Sequence, residues 1–505
     1  MPNALDKNNP QIDAKHPDYG DYYEDWELIA DCIAGQRKIK DGRTQYLPHP
    51  GTGGNNYDDG ERYNSYLKRA NFLNFTDETK KNLVGQCFAV DPVYSGPEEL
   101  EPFLQSIDGA GVSALQQSKC ALAMVLSFSR CGLFTDYPKT GGVASMEDVE
   151  KGDIAPKVIL YEPSQIINWD TTQRGARTIL SLVMIEESYV SDDDGYKKEL
   201  DTQWRELRLV DDVYTVKIWR RNDTVFEIYS ESIPMDDSGA TFDEIPFEFI
   251  GAEANNCKVE KPLLLDIALL NIAHFVDSAD YQESVHLTGQ ATPWVNNLTQ
   301  NWVDNVMGGK IKLGSRGVLP LPEGSQAGFL QVGANSLAKE ALDQKEDQAR
   351  KMGAKLVEKR EVATTATGDN IDEASRTSVL AAVCANVSQA YQRALHWAAL
   401  FSGVDNEAED YPEGATYELN TEFAVNRIRP EERTANRDDY NAGLLDFEEA
   451  RNNLKSGGVA YKDDQDVQDF HDEKAEQDFV AAQKAFAAQS GEDDEEEEVE
   501  PAVEE

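Results

Sequence analysis

Residues Lys261 to Pro293 read KPLLLDIALLNIAHFVDSADYQESVHLTGQATP, and this stretch decides the architecture of the chain. Leu265, Leu269, Ile272, Val276 and Ala279 recur at three- and four-residue spacing, the period of a helix with one apolar stripe. Asp266, Asn271, His274, Asp277, Asp280 and Glu283 fall on the other sides, so the expected helix is a strut that packs by one stripe. Pro262 suits a first helical turn, where a missing N–H is no loss, and Gly289 with Pro293 marks the stop. An ordinary domain helix has the same periodicity, and only the flanking segments separate the two readings.

After this helix, residues 289–333 are rich in Gly and Pro but carry apolar patches, TPWVNNL, GGKIKLGSRGVLPLP and AGFLQV. That patterning suits a small module more than a linker. Ser336 to Lys359, SLAKEALDQKEDQARKMGAKLVEK, is built from strong helix formers and predicts a second strut. Lys345, Arg350, Lys351, Lys355, Lys359 and Arg360 make it locally basic, with Glu340, Asp343, Glu346, Asp347 and Glu358 interspersed. Pairing of Glu346 with Arg350 and of Asp347 with Lys351 at i,i+4 would explain much of that charge, whereas Lys351 and Lys355 form a repulsive pair that wants an external partner. Glu361 to Ile371, EVATTATGDNI, then breaks the helical pattern. A helix from Glu373 to Ser402 follows, capped by Asp372 or Asn370 and ended by Gly403.

Upstream, helices are expected at Tyr22–Gly35, Gly60–Asn74, Asp77–Val90 and Ala110–Arg130, with Thr76 or Asp77 as an N-cap and Gly35 as a stop. Between Lys157 and Gly251 the period becomes that of extended chain: KVILYEP, RTILSLVMIEESYV, WRELRLV, YTVKIWRR, TVFEIYS and IPFEFIG alternate with turn clusters such as SDDDG and RRND. One antiparallel sheet is the expectation. Beyond Ala415, TYELNTEF predicts a short strand, and helices follow at Pro430–Asn441, Phe447–Leu454 and Asp466–Gln489. The ending GEDDEEEEVEPAVEE is too charged to bury a core.

The 505 residues exceed one core, and a hydrophobic content of 40% with 9% aromatics predicts a folded body of several units. Six cysteines stand singly, without a CxxC or metal-ligand spacing, and read as reduced thiols. Neither a run of about 18 apolar residues nor a basic-then-apolar N-terminal segment occurs, so neither a membrane span nor a secretory signal is expected. The formal net charge is -45, from 48 Lys plus Arg against 93 Asp plus Glu, which argues against ordinary DNA binding by phosphate neutralisation.

The run Leu264 to Gln290 resembles a helix of the portal proteins of tailed bacteriophages, the ring at the capsid vertex through which DNA passes. Trp26 to Pro48, Tyr63 to Phe75, Met352 to Val357 and Asp369 to Leu380 follow in the order such portals show, and the resemblance spans residues 20–460. It implies an α+β, mainly helical fold with a wing at 1–260, a helical-hairpin stem at 261–288 and 335–360, and a small clip at 289–334 between them. A tunnel loop at 361–371, a wing helix and return segment at 372–430, a helical crown at 431–490 and an acidic tail at 491–505 complete it. The implied assembly is a twelve-membered ring in the virion, assembled in the host cytoplasm. Its implied partners are double-stranded DNA, terminase, tail or neck adaptor proteins, and major capsid and scaffold proteins. Under this resemblance Arg350, Lys351, Lys355, Lys359, Thr364, Thr365, Thr367 and Asn370 are the DNA-facing candidates. The acidic charge would let DNA slide without sticking; a solvated surface or a salt-adapted host would explain it equally.

Catalysis is not expected: the six histidines are scattered, no HExxH, GxSxG or Walker loop occurs, and no cofactor or metal is implied. The glycine-rich GTGGNN at 51–56 lacks the Lys-Ser/Thr ending of a phosphate loop, and Asp192, Asp193 and Asp194 lie in a polar turn. Two rival readings remain: an acidic cytosolic enzyme with an unrecognised carboxylate pair, which needs a convergent pocket, and a virion neck or adaptor protein without DNA contact.

Overall fold

The computed structural model describes residues 11–50, 60–137, 155–236, 239–289, 292–306, 320–330, 336–357, 378–404, 414–423 and 430–456. The fold is α+β, and the chain divides into two units, 1–423 and 424–505. In the first unit, helices α1 (Pro17–Ala34), α2 (Gln36–Asp41), α3 (Gly60–Arg69) and α4 (Phe75–Cys87) lead to strand β1 (Val93–Ser95), the short α5 (Glu101–Gln105) and α6 (Ala114–Phe128).

Local chemistry moves several of the expected boundaries. Pro17 opens α1 five residues before Tyr22, with the His16 ring accepting from the Asp18 N–H, and Gly35 ends it at φ 87°. The cap of α4 is Asn74, whose side chain accepts from the Asp77 N–H, so neither Thr76 nor Asp77 holds that role. A capping box between Ser113 and Gln116 starts α6, and Ser129 at φ 56° stops it. The chain then enters strand β2 (Arg130–Asp136), which was not among the expected strands and begins at the last residue of the expected helix.

The single sheet expected over 157–251 is two sheets. Strand β3 (Lys157–Tyr161) pairs with one edge of β2 and β9 (Phe247–Gly251) with the other, making an antiparallel three-stranded sheet. β4 (Ile166–Arg174), β5 (Arg177–Asp193), β6 (Lys198–Val210), β7 (Val213–Asn222) and β8 (Val225–Ser232) form a separate five-stranded meander. Its turns are tight: between β6 and β7, Asp211 and Asp212 both take positive φ, 52° and 63°, as a two-residue turn matched to strand twist requires. The split follows from β2, which is buried on both faces. Cys131 and Leu133 enter a core with α4 and α6, while Phe134 enters a second core with α1 and the meander. A strand covered on both sides shows no alternation and is hard to tell from a helix segment by period alone.

Helix α7 (Leu265–Gly289) leads to a hairpin of β10 (Thr292–Val295) and β11 (Ala327–Leu330), with α8 (Gln300–Asn305) between them. Next come α9 (Ser336–Lys355) and α10 (Val379–Ser402). The cap of α10 is Ser378, which accepts from the Ala381 N–H, while the expected caps Asp372 and Asn370 lie outside the described residues; Gly403 ends the helix at φ 65°. Only Thr416–Glu418 of the expected 416–423 strand is extended, as β12, and it pairs with β1. In the second unit the described elements are α11 (Pro430–Asn441) and α12 (Phe447–Ser456), joined by Asn436 donating to the Ala450 carbonyl at 2.9 Å. The expected helix at 466–489 and the acidic tail lie outside the described residues. Among the described residues no helix is long and apolar enough to cross a membrane.

Candidate functional site

The one-stripe expectation for α7 is corrected by its burial. Ile267, Ala268, Phe275 and Ala279 are buried as apolar groups, but Asn271, His274 and Ser278 are buried too, and Leu269 is half exposed. Polar residues off that stripe also tie α7 to its neighbours. Asn271 accepts from the Thr76 N–H and hydroxyl at 3.3 and 3.2 Å and donates to the Leu73 carbonyl at 2.5 Å. Ser278 accepts from the Asn71 N–H at 3.1 Å, the Tyr66 hydroxyl donates to Asp280 at 2.6 Å, and Arg69 pairs with Glu283. Buried polar groups of this kind persist only when partnered, so each bond fixes the position of the strut as well as holding it.

Helix α9 runs antiparallel beside α7. Lys345 pairs with Asp277, and one turn back along α7 the His274 ring lies 3.7 Å from a Glu346 oxygen, too far for a hydrogen bond. Neither nitrogen of that ring has a hydrogen-bond partner among the described residues, and the Phe75 ring meets it edge-on at 4.9 Å. Burial holds the His274 pKa below its ordinary 6.5, with Glu346 and Asp277 opposing that shift and Lys345 adding to it.

The packed side of α9 comprises Leu342, Lys345, Glu346, Ala349 and Gly353, and its exposed side carries Asp347, Arg350, Lys351 and Lys355. Gly353 lets the helix cross α4 closely: a Cβ there would lie 3.1 Å from Thr79 Cγ2, a tight contact. A groove of about 280 Å³ runs along this crossing, with Glu78, Thr79, Asn82 and Gln86 on one wall and Glu346 and Arg350 on the other.

Of the DNA-facing candidates, the structure places Arg350, Lys351 and Lys355 on one solvent face of α9. Lys359, Thr364, Thr365, Thr367 and Asn370 lie outside the described residues, as does the expected tunnel loop. Arg350 is engaged within its own helix, 3.5 Å from Glu346 and 3.1 Å from Asp347. Asp347 therefore does not pair with Lys351 as expected, and among the described residues neither Lys351 nor Lys355 has an ion-pair partner. Both sit near the C-terminal end of α9, where the helix dipole favours a cation.

Two other polar clusters bear on the enzyme reading. Asp136 and Glu187 flank Arg205 at 3.4 and 2.9 Å; burial raises the first carboxyl, while Arg205 and hydrogen bonds hold the second low against burial. Split carboxylates can signal acid–base chemistry. Here Tyr161, Arg205 and Gln203 all donate to Glu187, so its oxygens are occupied in tying β3, β5 and β6 together. Arg130 is buried with its guanidinium 4.3 Å from the Trp169 ring and 3.9 Å from Phe249, donating to the Cys257 carbonyl at 2.9 Å. Desolvation lowers its pKa to about 10. In the acidic turn, Asp193 accepts from the Gly195 N–H at 2.9 Å and Asp194 from Tyr196 and Lys197, so these carboxylates shape the turn.

The partners of α7 on α3, α4 and the segment between them, Tyr66, Arg69, Asn71 and Thr76, were not singled out by sequence reasoning. The available signal was the spacing of Asp277, Asp280 and Glu283, three residues apart along one helix. That spacing shows a shared side but not what meets it.

A family model described as a domain of unknown function (DUF4055) matches residues 262–402, the stretch from the start of α7 to the end of α10. No curated protein matches the chain. Among solved structures, a chain from the neck of an empty gene transfer agent particle computed with C6 symmetry is similar at 14% identity and TM-score 0.37. The match covers 83% of this chain and 99% of that one. A chain of the native gene transfer agent virion is similar at 10% identity and TM-score 0.37, covering 84% and 99%. A chain from the native particle's neck computed with C12 symmetry is similar at 12% identity and TM-score 0.35, covering 75% and 89%.

Proposed function

We propose that this chain is a structural ring subunit at the head-to-tail junction of a tailed-phage-like virion, and within that class the portal itself, conducting DNA through a central channel. The observation that carries this reading is the antiparallel pair α7 and α9 around a small β-hairpin module, with α7 bonded into the body along its length while α9 keeps a solvent face. The sequence resemblance over residues 20–460 supports the same architecture, with α7 and α9 as the stem, 289–334 as the clip and 361–371 as the tunnel loop. Ring closure would repeat Lys351 and Lys355 into a band of cations on an otherwise acidic wall, enough to steady a passing phosphate backbone without holding it. Terminase, neck adaptors and capsid would dock on the clip and wing; energy for packaging would come from a separate motor.

A second reading, a neck ring that makes no contact with DNA, is favoured by Arg350, whose charge is already met by Glu346 and Asp347. Photo-crosslinking from position 351 in filled particles separates the two. Adducts with DNA are expected for the portal; adducts with protein alone would favour the neck ring.

A further inference from the structure

Cys87, the last residue of α4, and Cys384, in the first third of α10, are both fully buried, and their sulfurs lie 2.9 Å apart although the residues are 297 positions apart in the chain. A disulfide bond is about 2.0 Å long, so a sub-ångström approach would join them. No other pair among the six thiols shows such a contact among the described residues. The surroundings explain why the thiols stay reduced as assembled. Both lie in the apolar core with Leu83, Leu380 and Val387, and the Cys384 pKa is raised far above its ordinary value by the Cys87 contact and by burial, so little reactive thiolate forms. Cys87 is the last residue of α4, and helix ends open more readily than helix centres.

We propose that Cys87 and Cys384 form a latent oxidative cross-link site that ties α4 to α10 once the protein meets a disulfide oxidant. The reaction is thiol–disulfide exchange. On fraying of α4, the Cys87 thiolate attacks a sulfur of a small disulfide such as oxidised glutathione, forming a mixed disulfide and releasing one thiolate. Exposed by the same opening, Cys384 loses its proton to water and displaces the second glutathione thiolate. The two protein thiols lose two electrons and two protons; the glutathione disulfide gains both. Because α4 lies beneath α9 through Gly353 and Thr79, the cross-link anchors the support of the second strut to the core helix. It closes a very long loop, the case in which constraining the unfolded chain stabilises most. The inference does not depend on the portal reading.

The test incubates the intact protein with oxidised glutathione just below its melting transition, blocks residual thiols, and maps disulfides by mass spectrometry without reduction. A linked peptide pair containing Cys87 and Cys384 is expected, with Tm raised by about 2–4 °C and restored by dithiothreitol. Cys87→Ser and Cys384→Ser should each abolish both the pair and the Tm rise. Exposed Cys120 supplies an internal control that oxidant was present. Glutathionylated Cys120 with Cys87 and Cys384 both still reduced would overturn the proposal. So would a linked pair that leaves Tm unchanged, since the anchor would then have no effect.

Discussion

The buried side chain of Asn271 on α7 and the N-terminal turn of α4 at Thr76 are bonded twice, Asn271 Oδ1 accepting from both the Thr76 N–H and its hydroxyl. With the third bond, to the Leu73 carbonyl, this amide fixes the rotation and height of the strut against the body.

Asn271→Ala leaves two donors and a carbonyl in the core without their partner. A loss of about 2–4 kcal/mol is expected, because unsatisfied buried groups cost more than the net value of the bonds they lose. Urea unfolding checks it; Asn271→Asp, which keeps the acceptor but buries a charge, should be no milder.

His274 gives the α7–α9 contact a pH dependence. Its folded pKa lies below the 6.5 of the unfolded chain, so the unfolded state binds the proton more readily. The stability it contributes is complete above 6.5, falls as pH drops through that value toward the folded pKa, and levels off below it. Glu346, Asp277 and Lys345 face the same ring. His274→Gln should flatten the decline in stability across the window; an unchanged slope would assign it to other groups.

Gly353 allows α9 to rest on Thr79, and Gly353→Leu should lift the helix from α4 at a cost of about 1–3 kcal/mol. Faster amide exchange across 336–355, with α10 unaffected, is the expected signature.

Much of this was legible from residues and some was not. Gly35, Gly289 and Gly403 marked helix ends because glycine acts through backbone geometry that needs no tertiary partner, whereas Pro17 opens α1 five residues before the expected start. The alternating runs after Lys157 identified strands but not two sheets, since β2 is buried on both faces and shows no alternation. The α7 stripe located a helix, yet Asn271, His274 and Asp280 were set off the packing stripe because the residues that meet them lie far away in sequence. Lys351 and Lys355 were legible as a repulsive couple, but the expected Asp347–Lys351 pair is replaced by Asp347 with Arg350, a choice between neighbours that spacing alone does not make.

Replacing Lys351 and Lys355 together by Ala removes two exposed charges without touching a buried contact. Stability should change by less than about 0.5 kcal/mol per site, rings should still assemble, and DNA packaging or retention should fall. Packaging efficiency measured in reconstituted particles decides it; unchanged packaging would remove both residues from the DNA-facing set.

The central claim is that the purified protein closes into a ring around a channel. Electron microscopy with class averages viewed along the symmetry axis tests it directly. The account predicts a closed ring with a central pore and a fixed subunit number; a compact monomer or dimer that persists across concentrations would contradict it.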